Sequence, residues 1–223
     1  MKYFYLYIFF LLCFVVLNAY LKTVYFKENF QSNNKNYLLL GDSILKNNAY
    51  VADGLSIENI LIERNLNVKC LAEDHSKIVD VYSQLDKIPI EMNLPNTFII
   101  LSAGGNDILS YFVDQQKDIT DTSVLVPMFS SYEKLIKSIQ SKLPKVNIVL
   151  LDIYYPDNFK YKQFHSIIEE WNNMIYKYAN DIKNNIYKII RISDSLTQKE
   201  DFSFGIEPSS SGGNKIADLI SNI

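Results

Sequence analysis

Cysteine and histidine are scarce in this chain, and their scarcity narrows the chemistry before any motif is read. Two cysteines and two histidines occur in 223 residues. Cys13 lies in an apolar N-terminal run and Cys70 in a predicted strand, so they are not expected to form a disulfide. No metal-ligand spacing exists, and no metal or other cofactor is implied. His75 and His165 are far apart in the sequence. An excess of one charge is also missing. Lys and Arg total 22 against 25 Asp and Glu, a formal net charge of −3. With no basic patch and no charge run, nucleic acid is not an expected partner. There is no internal repeat and no low-complexity tract, so a repeat architecture is not expected. What remains is enough chain for one domain with a sizeable core and a short extra element.

The extra element is at the N-terminus. Tyr3 to Leu21 reads YFYLYIFFLLCFVVLNAYL, without a charge and about as long as a helix that crosses a bilayer. Lys2 precedes it, and Lys22 and Lys27 follow, so charge does not decide an orientation. The run is long for a signal-peptide core. Leu17-Asn18-Ala19 is a weak cleavage site, so a signal peptide remains the rival reading. Residues 1–22 are therefore expected to be a membrane anchor or signal segment, giving a single-pass membrane protein, or a secreted one if the segment is cleaved. Residues 23–35 read as a polar linker and 36–223 as the folded domain.

Within that domain, apolar runs alternate with helical patterns. Predicted strands fall at Tyr37–Leu40, Val68–Leu71, Thr97–Ser102, Asn147–Ile153 and Tyr187–Ile192. Helical spacing is expected over Asp53–Asn65, Ile78–Leu85, Ile108–Gln116, Ser130–Leu143, Tyr161–Asn184 and Ser209–Ile223. A further helix start is expected just after Ser43, and Lys117–Pro127 reads as a loop. This alternation predicts an α/β fold with a parallel sheet of five strands and helices on both faces.

Polar residues cluster just after the predicted strands: Gly41-Asp42-Ser43, Asp74-His75, Gly104-Gly105-Asn106-Asp107 and Asp152. In a parallel sheet these all lie at one edge, where open α/β folds place their sites. A serine in a tight turn at a strand end is well placed as a nucleophile. The set suits acyl transfer. Ser43 would attack a carbonyl. Its own N–H, a second N–H near His75 and the Asn106 amide would stabilise the oxyanion. Gly104 and Gly105 would let the backbone turn Asn106 inward. Asp42 is expected to brace its turn through backbone N–H groups while bordering the same oxyanion site.

GDSIL at Gly41 to Leu45 and GGND at Gly104 to Asp107 resemble the first and third sequence blocks of the SGNH/GDSL hydrolases. The resemblance runs from about Asn36 to the end of the chain. It implies a three-layer, flavodoxin-like sandwich and ester hydrolysis, with Ser43 as nucleophile and Asn106 as an oxyanion donor. A small-molecule, carbohydrate or lipid ester would be the substrate. His75 stands where the family usually has the glycine of its second block.

The last block departs from the family. The usual pattern is D-x-x-H-P before the final helix, with His as the base and Asp orienting it. Here Glu207 stands at the His position and Phe204 at the Asp position. The string IEPSSSGGNKIA is similar to a subgroup ending in IEPS-x-x-GG-x-KIA. A free Glu has a pKa of about 4.3, low for a general base, and burial raises it. Three readings stay open: Glu207 is the base for Ser43, His75 supplies an imidazole from another strand end, or the site binds a ligand and catalyses little. Asp152 and Asp201 are weaker candidates for the base.

Overall fold

A computed structural model describes residues 35–115 and 117–223. The expected membrane anchor or signal segment, and all but the last residue of the linker, lie outside the described residues. Among the described residues no helix is long and apolar enough to cross a membrane.

Five parallel strands form one sheet: β1 Asn36–Gly41, β2 Asn67–Cys70, β3 Thr97–Ser102, β4 Asn147–Leu151 and β5 Lys188–Ile190. Their order is β2-β1-β3-β4-β5. β1 and β3 are buried along their whole length, with Tyr37 beside Phe98 and Leu39 beside Ile100. Such continuous apolar runs are what strands covered on both faces require.

The alternation of side chains along each strand divides the core into two faces. Tyr37, Leu39, Phe98, Ile100, Val149 and Leu151 pack with helices α1 (Ile57–Glu63) and α6 (Ser210–Ser221). Leu38, Leu40, Ile99, Leu101, Ile148 and Leu150 point the other way and are equally buried. There the cover is α2 (Val81–Asp86), α4 (Leu125–Lys142) and α5 (His165–Asn180). The three-layer α/β architecture expected from the sequence is therefore the observed one.

Several expected boundaries shift for local reasons. No helix follows Ser43. Residues 42–45 form a turn, in which Leu45 and Lys46 both donate to the Asp42 carbonyl. α1 starts at Ile57 because the Ser56 hydroxyl caps it, accepting from the Asn59 N–H. A short helix, α3 (Gly105–Leu109), starts three residues before the expected Ile108 and continues as a wider turn over Ser110–Asp114. α4 begins before Pro127, which fits in a first turn because its missing N–H would have no partner there. The long helix expected over Tyr161–Asn184 is interrupted at Asp181, whose extended backbone ends α5 and whose carboxylate accepts from the Lys183 N–H.

The stretch before α6 also holds a small antiparallel hairpin, β6 (Phe202–Ser203) with β7 (Glu207–Pro208), pairing Ser203 with Glu207. Phe204 and Gly205 take positive φ at its turn, the conformation that tight hairpin turns favour. α6 is capped by Ser209, whose Oγ accepts from the N–H groups of Ser211 and Gly212. Glu207 lies two residues earlier and does not serve as the cap.

Candidate active site

The strand order reverses between β1 and β3, since β2 lies on the other side of β1. The crevice beyond the carboxyl ends at such a point is where sheets of this kind take ligands. β1 delivers Asp42 and Ser43 there, and β3 delivers Gly105 and Asn106. The register allows only glycine at position 41. Its φ is +128°, and a Cβ would lie 1.7 Å from the Ser102 carbonyl oxygen. Gly104 is similar, with φ +111° and a hypothetical Cβ 2.2 Å from the Trp171 ring.

Buried amide side chains hold the loops that carry the site. Gln84 on α2 donates to the Gly41 carbonyl at 2.8 Å and accepts from the Gly41 N–H at 2.7 Å. Asn172 on α5 does the same for Ile153 after β4, at 2.7 and 2.8 Å. Asn47 accepts from the Ile57 N–H at 2.9 Å and donates to the Pro208 carbonyl at 3.4 Å. These pairings give partners to backbone groups at the ends of β1 and β4, at the start of α1 and in the hairpin. Asp42 is fixed too: its Oδ1 accepts from the Ile44 N–H at 3.1 Å and the Ser102 hydroxyl at 2.9 Å.

Glu207 reaches Ser43 from the hairpin. The Ser43 hydroxyl lies beside it and favours the carboxylate. Burial outweighs this and pushes the Glu207 pKa above the ordinary range, with the nearby Asp74 charge adding to the rise and His75 opposing it. The Oε2 atom is buried and has no hydrogen-bond partner among the described residues. Tyr154 fixes the backbone just before it, its hydroxyl donating to the Ile206 carbonyl at 2.6 Å. Asp42 is raised to about 7, first by burial and further by the charges of Glu207 and Asp107, while the Ser102 and Ile44 hydrogen bonds work against the rise. Two carboxyl groups with raised pKa values thus border one serine.

The other sequence candidates are distributed unevenly. Asn106 borders the cavity, and its amide donates to the Ser76 carbonyl at 3.0 Å, which leaves its second N–H available. His75 has a positive φ of 58° and a side chain 83% exposed. Its backbone N–H, expected to face the oxyanion, donates to Asp74 Oδ1 at 2.9 Å. Its Nε2 is 3.6 Å from Asp74 Oδ2, an oxygen that also accepts from the Tyr50 hydroxyl at 2.6 Å. Asp152 is committed elsewhere, accepting from the hydroxyls of Tyr176 and Ser193 and the Ser193 N–H. Asp201 pairs with Lys215 at 2.7 Å and also accepts from the N–H groups of Thr197 and Gln198. Phe204, at the family's Asp position, is 80% exposed.

Asp42, Ser43, Asn106 and Glu207 all line one cavity, of about 560 Å³ counted with its open mouth. Solved structures share this fold. A member of the lipolytic G-D-S-L family from Veillonella parvula is 20% identical, with a TM-score of 0.63 over 85% of this chain and 97% of that one. A GDSL-like lipase from Bacteroides thetaiotaomicron is 14% identical, with a TM-score of 0.61 over 84% and 86%. The chain has the SGNH/GDSL hydrolase fold. A family 3 carbohydrate esterase from Clostridium thermocellum shares this SGNH fold at 15% identity, with a TM-score of 0.55 over 85% of this chain and 94% of that one. No protein-family model and no curated protein matches the sequence.

The sequence did not single out the residues that steady this site. Gln84 and Asn47 lie in segments with no motif, and Asn172 read only as a helix residue. Nor did it mark Tyr161, Phe164 and Ile168, which line the cavity from the segment after β4. Helical spacing places Ile168 on an inward face, but only the strand order brings that face to Ser43.

Proposed function

We propose that this protein is a serine-dependent ester hydrolase in which Glu207 serves as the base for Ser43. The observation that carries the reading is the half-buried Glu207 carboxyl beside the Ser43 hydroxyl, in the same cavity as the Asn106 amide. Burial raises the carboxyl toward the range that suits a general base at neutral pH. An imidazole base needs a carboxylate to hold its tautomer. A carboxylate has no tautomer to hold, so an exposed Phe204 in place of the family's Asp is consistent with this chemistry.

Glu207 takes the proton from Ser43 Oγ as that oxygen attacks the ester carbonyl. The oxyanion accepts hydrogen bonds from the Ser43 N–H and the free N–H of Asn106. Collapse breaks the bond to the alkoxide, which leaves with the proton from Glu207, and the acyl group stays on Ser43. Water then gives a proton to Glu207 and attacks the acyl carbon, and collapse breaks the bond to Ser43 Oγ, which takes that proton back from Glu207 as the carboxylic acid departs. The named relatives of this fold include lipases and a carbohydrate esterase, which supports an ester as the substrate. The uncharged run from Tyr3 to Leu21 supports single-pass attachment to a membrane, which resistance to alkaline extraction would test.

A fluorophosphonate probe tests the reading. It labels the wild type at Ser43 and leaves Ser43→Ala unlabelled. An unlabelled wild type that cleaves no nitrophenyl ester overturns it, and favours a ligand-binding role on the same fold.

A further inference from the structure

The cavity is lined by two kinds of residue. Its carboxyl, amide and serine groups are those of Ser43, Asp42, Asn106 and Glu207. Much of the remaining lining is apolar: Ile108, Leu109, Ile153, Phe164 and Ile168, with Pro156 and Tyr161 from the segment after β4. Ile108, Ile153, Phe164 and Ile168 are all buried. Among the described residues no lysine or arginine lines the cavity, and its only carboxyl groups are those of Asp42 and Glu207. The Tyr154 hydroxyl is already committed to the Ile206 carbonyl.

Such walls offer little to a sugar, whose hydroxyl groups would lose water without gaining partners. An acetyl group would leave most of the apolar wall unfilled. The segments that border the cavity also carry exposed aromatic residues. Phe159 is 86% exposed and follows Asn158, whose N–H donates to the Gly205 carbonyl at 3.2 Å. Phe204, on the other side of that bond, is exposed as well.

From these features we infer that the cavity receives the acyl chain of the substrate, and that this chain is a hydrocarbon longer than an acetyl group. The kinetic side of this inference rests on the hydrolase reading, whereas its binding side does not. Each methylene taken from water contributes about fourfold in affinity or in kcat/KM.

The test uses the full chain, kept free of detergent so that nothing competes for the cavity. For wild type, kcat/KM is measured on nitrophenyl acetate, hexanoate and octanoate. The longer esters are expected to exceed acetate by at least about tenfold. A ratio of octanoate to acetate at or below one overturns the inference. Leu109→Trp fills the cavity from a half-buried position and should lower that ratio at least about fivefold. A folded Leu109→Trp protein with the wild-type ratio shows that the chain lies elsewhere and overturns it too. Binding of the same esters to Ser43→Ala is read by calorimetry. Tighter binding of octanoate supports the cavity assignment even in a protein that cleaves neither ester, an outcome that removes only the hydrolase reading. Equal binding of acetate and octanoate removes the cavity assignment whatever the turnover.

Discussion

The Tyr154 hydroxyl and the Ile206 carbonyl join the end of β4 to the hairpin that carries Glu207. Their 2.6 Å hydrogen bond spans 52 residues of sequence. Tyr154 is 3% exposed, and its ring also packs on Phe202 of the same hairpin. The carboxyl is thus held from its backbone, while its own Oε2 stays unpaired among the described residues.

Tyr154→Phe removes that bond and keeps the ring. The Ile206 carbonyl then loses its partner, and stability should fall by about 1–2 kcal/mol. Activity should fall about tenfold through kcat, because Glu207 is less well placed. Urea unfolding and initial rates on a nitrophenyl ester measure the two effects. An unchanged kcat would show that the hairpin needs no such tie.

Glu207→Gln tests the base directly. The raised pKa of Glu207 has burial as its main cause. Only the ionised form accepts the Ser43 proton, so kcat/KM should rise with pH through a step above the ordinary carboxylate range. Glu207→Gln should lower the rate by about 100- to 10,000-fold and abolish that step. A Gln variant at wild-type rate removes Glu207 as base and returns attention to His75.

Asp42 makes a separate prediction about stability. Burial raises its pKa from 3.8 to about 7 in the folded protein. Between these values the folded state holds a proton that the unfolded state has released. Stability is therefore lost as pH rises from about 4 to about 7, by up to about 4 kcal/mol from this group alone. Asn at this position accepts the same two hydrogen bonds from Ile44 and Ser102 and does not titrate. The stability of Asp42→Asn relative to wild type should increase steadily over that window. Thermal unfolding at a series of pH values checks it, and a constant difference would count against the raised pKa.

Asn172→Ala leaves the buried N–H and carbonyl of Ile153 without their side-chain partner. The expected loss is about 2–4 kcal/mol. Ile153 lines the cavity, so preference among acyl chains should change along with stability. A variant that unfolds at the wild-type urea concentration would show that water replaces the amide.

Much of this was legible in the sequence because it rests on short-range rules. The apolar runs at Tyr37–Leu40 and Thr97–Ser102 need cover on both faces, which fixes a buried parallel sheet. Gly41 before Asp42-Ser43, and Gly104 before Gly105-Asn106, mark turns at two strand ends. From the alternation of strands and helices it follows that those ends share an edge. Helix boundaries were less legible where a single side chain decides them, as Ser56 does for α1 and Asp181 for α5.

Tertiary structure alone decided which groups surround Ser43. The sequence named Glu207 and His75 as rivals and could not rank them by geometry. The hairpin between Phe202 and Pro208 turns Glu207 inward, whereas His75 is drawn off: it takes a left-handed backbone and gives its N–H to Asp74. Asp152 and Asp201 were removed as bases by hydroxyl and lysine partners far away in the chain. The braces by Gln84, Asn172 and Tyr154 were invisible for the same reason. Each is a hydrogen bond between segments that only the packed sheet brings together, so no local pattern records it.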